Sequence, residues 1–257
     1  MIQNIVIIGS GNVATHLSLA LKKSGFNIIQ VYNRTLSNAI KLSEKLKCNA
    51  TDNAHKIEKN ADMYVFAISD PAIKLILNQT ELNNKLLVHT AGSMNINIFK
   101  PYTNRFGVMY PLQTFSINYP VNFSQVPLFI EASDNSVEKT LFEFCQKLSN
   151  TVVVINSEQR KILHLAAVFA NNFCNHMYSI AYILLKQNNL SFDYLKSIIT
   201  ETAIKINHVN PLEIQTGPAI RKNYKVMNEH AEMLKKNHEW QKIYTFVSKD
   251  IMKSHKK

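Results

Sequence analysis

Residues 5–14 read Ile-Val-Ile-Ile-Gly-Ser-Gly-Asn-Val-Ala. The apolar run predicts a strand, and the glycines and Ala14 that follow have the G-x-G-x-x-A spacing of a dinucleotide-binding turn that opens a helix. In this spacing the first glycine allows a tight turn, the second lets the backbone approach a pyrophosphate, and Ala14 lets the helix lie close to the strand. A glycine turn without a ligand is the alternative. The predicted cofactor contacts in this turn are Gly9, Ser10, Gly11, Asn12 and Val13.

The second predicted strand covers residues 27–32, and the residues after it bear on cofactor choice. An NAD-binding fold usually carries an acidic residue about 20 residues past the glycines, where it holds the ribose hydroxyls. This chain has Arg34 there instead, beside Asn33, Thr35 and Ser37. A guanidinium binds a 2′-phosphate that a carboxylate would repel, so the sequence favours NADP(H). Alternatively, Thr35 or Ser37 caps a helix over 38–47 and Arg34 is solvated.

Two further buried strands are predicted at 62–68 and 85–89, and small polar residues follow each of them. Ligands of such sheets bind beyond the carboxyl ends of the strands. We therefore expect Ile68, Ser69 and Asp70 after the first strand, and Ala91 and Ser93 after the second, to border the cofactor. Ser69 or Asp70 could also cap a helix that starts at Pro71. His89 and Ser93 are candidates for the nicotinamide side, and either could instead be a structural cap.

Strand and helix patterns alternate up to residue 156, with strands expected at 106–110, 127–132 and 151–155 and a helix at 136–148. This alternation predicts an α/β fold, a doubly wound Rossmann-type sheet. From residue 157 only helical patterns remain, which predicts an all-α C-terminal domain. The predicted domains are 1–156, which binds NADP, and 157–257, which binds substrate and dimerises.

The first helix of the second domain is expected to run over 157–187 without interruption. At about 100° per residue, four residues align with His164 on one side of it. They are Asn171, Asn175, Tyr178 and Tyr182. Solvent-exposed helix faces more often carry charged residues such as Lys and Glu, as Arg160 and Lys161 illustrate upstream. The amides and phenols of this stripe instead predict hydrogen bonds to a ligand or another subunit. Structural hydrogen bonding is the alternative.

The break at residues 216–221, Thr-Gly-Pro-Ala-Ile-Arg, supplies a further candidate. Gly-Pro forces a turn, and Arg221 beside it could bind an anionic group of the substrate or simply face solvent. The last helix is expected over 239–253. It carries Trp240, Tyr244 and Val247 on one side, which indicates packing within the chain or across a dimer.

Composition limits the other classes of function. The 257 residues carry a formal charge of +11, but the lysines are scattered and no basic run is interleaved with aromatic residues. We read this charge as a solvated surface plus a site for an anionic cofactor, not as a nucleic-acid interface. Three cysteines at unrelated spacings predict neither a metal site nor disulfides, and no apolar run reaches membrane-spanning length. A cytoplasmic protein is expected.

Several motifs together resemble the bacterial Rossmann-like NADP oxidoreductases that carry a helical C-terminal domain of unknown function. These motifs are residues 9–14, 33–35, 89–93, 107–115, 164–172 and 216–221. The family is similar in plan to pyrroline-5-carboxylate reductase, deazaflavin-dependent NADP reductase, and the 3-hydroxyacid and prephenate dehydrogenases. The resemblance implies an NADP-binding domain, a helical dimerising domain and a site in the cleft between them.

The resemblance also bears on single residues. It points to Asn172 beside His164, whereas the helical stripe picks Asn171, so both asparagines stay candidates. The lysine that the hydroxyacid dehydrogenases place near this point is absent, and His164 is the nearest analogue. Family members often have His before Pro111, where this chain has Tyr110, which argues against Tyr110 as an essential base.

The sequence thus predicts an NADP(H)-dependent oxidoreductase that moves a hydride to or from a small carbonyl, imine or hydroxy acid, with an anionic substrate as one option and no metal. His164 would donate or accept the proton, since an imidazole titrates near neutral pH. Asn171 or Asn172 would orient the substrate oxygen, and Arg221 could hold an anionic group. The alternative is an NADP-binding redox sensor without turnover that acts through a protein partner.

Overall fold

The computed structural model describes residues 2–255, except for the side chain of Asp70. An eight-stranded sheet with the order β3-β2-β1-β4-β5-β6-β7-β8 forms its centre. β6 and β7 pair antiparallel, and the other neighbouring strands pair parallel. The strands are β1 (Asn4–Ile8), β2 (Asn27–Tyr32), β3 (Asn49–Thr51), β4 (Met63–Phe66), β5 (Leu86–His89), β6 (Phe106–Pro111), β7 (Leu128–Ala132) and β8 (Val152–Val154).

Helices cover both faces of this sheet, and the later part of the chain is helical. The helices are α1 (Asn12–Lys23), α2 (Leu36–Leu46), α3 (Asp70–Leu77), α4 (Asn135–Gln146), α5 (Ser157–Ala167), α6 (Cys174–Gln187), α7 (Asp193–Lys205), α8 (Tyr224–Met233) and α9 (His238–Ser254). The predicted fold class is confirmed. β3 is the strand that the sequence analysis missed, because its three residues are too few to show a hydrophobic pattern.

Alternating strand residues explain the two apolar layers of the core. Ile5 and Ile7 of β1 belong to the cluster on one face, and Val6 and Ile8 belong to the cluster on the other face. Because both faces are covered, β1 is almost entirely apolar. The strand order reverses between β1 and its two neighbours, β2 and β4, and ligands of doubly wound sheets bind at this switch point.

The chain divides into two compact units, one up to Asn172 and one from Phe173 onward. The predicted boundary at 156/157 lies earlier, and the difference is α5. Arg160 of α5 is fully buried in the first unit, where its guanidinium pairs with Glu131 of β7 and donates to the Met94 carbonyl. The interpretation of Arg160 as part of a solvent-exposed helix face was wrong. A buried guanidinium is tolerated here because Glu131 neutralises it.

The helix predicted over 157–187 changes type in its middle. α5 is followed by a π-helix (Val168–Phe173), in which hydrogen bonds run from residue i to i+5, before α6 continues. The angular positions that assume a regular α-helix are therefore wrong beyond residue 167. Within the part of the chain that is described, no helix is long and apolar enough to cross a bilayer.

The second unit, taken by itself, buries few side chains. None of the residues of α6, α7 and α8 is buried, and apolar residues such as Tyr194, Ile198 and Phe246 are more than half exposed. The last helix, α9, confirms the prediction for 239–253 within one residue at each end. Tyr244 on α9 shares a hydrogen bond of 2.9 Å with Nδ1 of His230 on α8.

Candidate active site

A cleft of about 470 Å³ lies beyond the carboxyl ends of β1, β2 and β4. We call it the nucleotide cleft. It brings together seven of the predicted cofactor contacts: Gly9, Ser10, Gly11, Asn33, Arg34, Ile68 and Ser69. Tyr32, Ala67, Ala72, Leu75, Ile76 and Gln79 complete its lining. None of the lining residues that the structure describes is acidic, which suits an anionic ligand.

Gly9 and Gly11 shape the turn at the mouth of this cleft. Gly9 has φ +118°, and a Cβ there would lie 2.4 Å from the carbonyl oxygen of Ala67. Gly9 is therefore required both by its backbone conformation and by the approach of the β4 segment. At Gly11 an added Cβ would meet nothing within 4 Å, so the space in front of this backbone is open.

The first turn of α1 presents unpaired backbone N–H groups beside that open space. Gly11 is the N-cap, it has no side chain to bond them, and the first turn contains no acidic residue. Such a helix end carries a partial positive charge and binds phosphates. The side chain of Asn12 points to the opposite loop, because its amide donates to the Phe115 carbonyl at 2.9 Å.

A short chain of hydrogen bonds fixes the loop after β2. The amide of Asn33 donates to the Ser10 hydroxyl at 2.7 Å, and its oxygen accepts from the Thr35 N–H at 2.9 Å. Arg34 lines the nucleotide cleft and is exposed. Thr35 is the N-cap of α2 without a side-chain cap bond, so its hydroxyl and that of the exposed Ser37 stay available to a ligand.

The helix after β4 starts as predicted, with Ser69 at the N-cap and Pro71 in the first turn. Ser69 makes no side-chain cap bond, so its capping role as an alternative to ligand binding is not supported by a hydrogen bond. The prediction for Asp70 falls on a side chain that lies outside the described part of the chain.

A second concavity, of about 490 Å³, includes Val13 from the first turn of α1 in its lining. We call it the histidine cavity. It is lined by Val13, Thr90, Tyr110, Pro111, Leu112, Gln113, Thr114, His164, Ala167, Val168, Ala170, Asn171 and Asn172. All of these residues belong to the first compact unit. The cavity therefore unites the predicted acid–base residue with both candidate asparagines and with Val13 of the turn.

Both asparagines lie in the π-helix and line one cavity. The sequence left open whether Asn171 or Asn172 faces His164. In a regular α-helix two consecutive residues point about 100° apart. The wider π-helical turn, which is frequent at functional sites, changes these directions, and both residues line the cavity together with His164.

Tyr110 is the partner of His164. The Tyr110 hydroxyl and Nδ1 of His164 are 3.0 Å apart, and the two rings meet edge to face. Gly92 makes room for this pair, since a Cβ on it would lie 2.8 Å from His164 Nδ1 and 2.9 Å from Tyr110 Cζ. Sequence reasoning argued against Tyr110 as an essential base and did not single out Gly92, although Tyr110 is at the carboxyl end of β6, where the crevice rule applies.

The structure separates His89 from Ser93, which were both predicted as candidates for the nicotinamide side. His89 is fully buried, and its Nδ1 accepts a hydrogen bond from the Ala91 N–H at 3.2 Å. Burial, with a contribution from the nearby Arg160 charge, lowers the pKa of His89 to about 3, so the imidazole is neutral. The cap interpretation of His89 is therefore supported, while Ser93 is exposed and keeps its candidacy.

Arg221 lies in the second compact unit, in the turn after Gly217, and is exposed. Gly217 has φ +109°, which confirms the predicted turn.

None of the residues that line the histidine cavity is Lys, Arg, Asp or Glu, within the part of the chain that the structure describes.

Comparisons with known proteins agree with this architecture. Residues 4–92 match the model of a family described as "NADP oxidoreductase coenzyme F420-dependent", and residues 126–251 match a domain of unknown function, DUF2520. A search of curated proteins finds no match.

Solved structures are similar over the whole chain. A protein of Bacteroides fragilis described as a "putative NADP oxidoreductase" has 41% sequence identity, covers 98% of each chain and gives a TM-score of 0.92. A protein of Thermotoga maritima has 21% identity, 97% coverage of each chain and a TM-score of 0.72. A reductive aminase of Aspergillus terreus, solved with NADPH and ethyl levulinate, has 12% identity, a TM-score of 0.75, and covers 98% of this chain and 95% of its own.

Proposed function

Because this chain belongs to the NADP oxidoreductase family of the Bacteroides fragilis protein, we propose that it transfers a hydride between NADP(H) and a small carbonyl, imine or hydroxy-acid substrate. The observation that carries the proposal is the nucleotide cleft, which gathers the glycine turn and Arg34 at the switch point of the sheet. The reductive aminases that share the fold were solved with NADPH and keto compounds, which supports the substrate class.

The residues of the nucleotide cleft fit NADP(H). The open space at Gly11 and the unpaired N–H groups of α1 would take the pyrophosphate. Arg34, with Asn33, Thr35 and Ser37, would hold the 2′-phosphate, and Ile68, Ser69 and Asp70 would border the cofactor from β4. Ala91, Ser93, Asn12 and Val13 are proposed contacts toward the nicotinamide.

When bound, NADPH supplies the hydride. The residues of the histidine cavity would then orient the substrate and manage the proton. His164 is the proposed source or acceptor of that proton. The amides of Asn171 and Asn172 can donate hydrogen bonds to the substrate oxygen or nitrogen. Arg221 stays a candidate for binding an acidic group.

Removing Arg34 tests the cofactor assignment. A charge-assisted hydrogen bond contributes about 1.5–3 kcal/mol, so Arg34→Ala should weaken NADPH binding roughly 10- to 100-fold and NADH binding far less. The measurement is calorimetric titration of both nucleotides into the wild type and the variant. Lys41→Ala, which removes an exposed positive charge from α2, is the control for a general charge effect. Equal losses for the two nucleotides would contradict the role of Arg34.

A homodimer through the helical part is also proposed. The second unit buries only Ala219, Leu234 and Ser248 among its described residues, and this leaves its helices without an adequate core. Exposed apolar surface on this scale is typical of an interface. Sedimentation velocity should therefore give a dimer mass, and a monomer at micromolar concentration would contradict it. The cytoplasmic location and the lack of nucleic-acid binding stay predictions from composition.

A further inference from the structure

Tyr110 and His164 come from distant segments of the chain and meet at the wall of the histidine cavity. The two residues are 54 positions apart, one on β6 and one on α5, and their polar atoms lie 3.0 Å from each other at the wall of the histidine cavity. Gly92, from the loop after β5, leaves the space that both rings need. Three separate segments thus converge on one hydrogen bond in the cavity where the substrate is proposed to bind.

The surroundings of Tyr110 suit a proton donor. The residue is only 8% exposed, and burial raises the pKa of its phenol while the positive charge of Arg160 acts in the opposite direction. The phenol is therefore protonated at neutral pH, and the nearby Arg160 charge opposes the loss of acidity that burial causes. Arg160 is fixed by Glu131, Ser157 and the Met94 carbonyl, so a positive charge stands near the phenol.

We propose that Tyr110 donates the proton to the substrate in the reductive direction, and that His164 replaces this proton through Nδ1. This inference rests on the proposed function. The carbon–heteroatom π bond of the substrate breaks as its carbon receives the hydride of NADPH, and the electron pair moves to the oxygen or nitrogen. That atom takes the proton of the Tyr110 hydroxyl, and the Tyr110 oxygen takes the Nδ1 proton of the imidazolium of His164. Solvent then returns one proton to His164, so the net reaction consumes NADPH and one proton.

The arrangement assigns different tasks to the two residues. Tyr110 contacts the substrate directly and is the catalytic residue, whereas His164 acts through it. The pair works only while the hydrogen bond exists, so losing either residue breaks the same proton path. Residues that act as a unit give non-additive losses when they are replaced together.

A double-mutant cycle tests this proposal. The proteins are the wild type, Tyr110→Phe, His164→Gln and the double variant, and Tyr102→Phe is the control. Tyr102→Phe removes a phenol hydroxyl of the same unit that bonds Asn78 at 2.8 Å outside the cavity. The probes are ethyl levulinate, and cyclohexanone with and without allylamine, each with NADPH. NADPH oxidation gives kcat, and calorimetry gives the affinity for NADPH.

General acid catalysis is worth roughly 100- to 10,000-fold, so each single variant should lose at least about 100-fold in kcat. The double variant should lose little more than the worse single variant, and Tyr102→Phe should match the wild type. The affinity for NADPH should stay unchanged in all variants, which also shows that they fold.

Other outcomes separate the two proposals. Full activity in Tyr110→Phe would overturn the role of Tyr110, and losses that multiply in the double variant would overturn the shared path. A wild-type protein that does not bind NADPH, or that oxidises it with none of the probes, would count against the proposed function, and this inference would fail with it.

Discussion

The nucleotide cleft and the histidine cavity share no lining residue, and they are built in different ways. The cleft takes its whole lining from three stretches, 9–11, 32–34 and 67–79, and the space in front of the Gly11 backbone is open. The cavity depends on side chains that meet across long stretches of sequence, above all Tyr110 and His164. Local sequence can specify the first kind of site, whereas the second kind requires the complete tertiary structure.

The largest expected effect concerns the anchor of α5, the helix that carries His164. Glu131→Ala leaves the fully buried Arg160 without its carboxylate partner. Breaking a buried pair costs about 3–5 kcal/mol, and the lower end applies because the Glu131 side chain is 16% exposed. We expect urea denaturation to show a loss of about 3 kcal/mol in the free energy of unfolding.

Lys59→Ala is the matched control for this experiment. It breaks the Lys59–Glu81 pair, whose side chains are 57% and 84% exposed. Surface pairs of this kind contribute about 0–1 kcal/mol. Similar losses in the two variants would show that the buried pair does not anchor α5, and the contrast between cleft and cavity would lose its physical basis.

Two alanine substitutions separate the cleft from the cavity. Gly9→Ala places a Cβ 2.4 Å from the Ala67 carbonyl oxygen at φ +118°. The turn must shift to relieve this contact, which would misplace the N–H groups that face the pyrophosphate, so NADPH binding should fall roughly 10-fold or more. Gly92→Ala instead presses on His164 and Tyr110, so it should lower kcat by a similar factor and leave NADPH affinity near the wild-type value.

Calorimetric affinity and NADPH oxidation, measured on both glycine variants, check this separation. Gly25→Ala is the control, since Gly25 also has a positive φ (+88°) but lines neither concavity, so affinity and kcat should stay at the wild-type values. If Gly92→Ala weakened NADPH binding as much as Gly9→Ala does, the nucleotide cleft and the histidine cavity would not be separate sites for cofactor and substrate.

Seven of the residues that the sequence named for the cofactor line one cleft, and the signals that named them are local. The glycine spacing, the position of Arg34 after β2, and the caps of α1 and α3 all follow from neighbouring residues. The alternation of strands and helices was enough for the fold class. β3 escaped prediction because three residues carry no periodic signal.

The histidine cavity was predicted only in part, and the errors have physical causes. The stripe on the helix assumed a constant 3.6-residue turn, which the π-helix at Val168–Phe173 breaks. Arg160 was assigned to the solvent-exposed face because a charged residue is rarely buried, and only the distant Glu131 makes its burial possible. Tyr110 was discounted as an essential base because family members often have His at this position, and its hydrogen-bond partner His164, 54 residues away, gave no local signal.

The smallest expected effect tests whether His89 belongs to the scaffold. Burial lowers its pKa from 6.5 to about 3, so the unfolded chain binds a proton between these values that the folded chain does not. Stability is complete above pH 6.5 and falls as the pH drops, by at most about 1.4 kcal/mol per pH unit.

His89→Asn keeps an acceptor for the Ala91 N–H and removes the titrating group, so its unfolding free energy should depend less on pH. Urea denaturation between pH 7 and about pH 5 measures this slope, and His55→Asn, at an exposed histidine, should keep the wild-type slope. A slope unchanged by His89→Asn would mean that water reaches this imidazole, which would return His89 to the candidates for ligand binding.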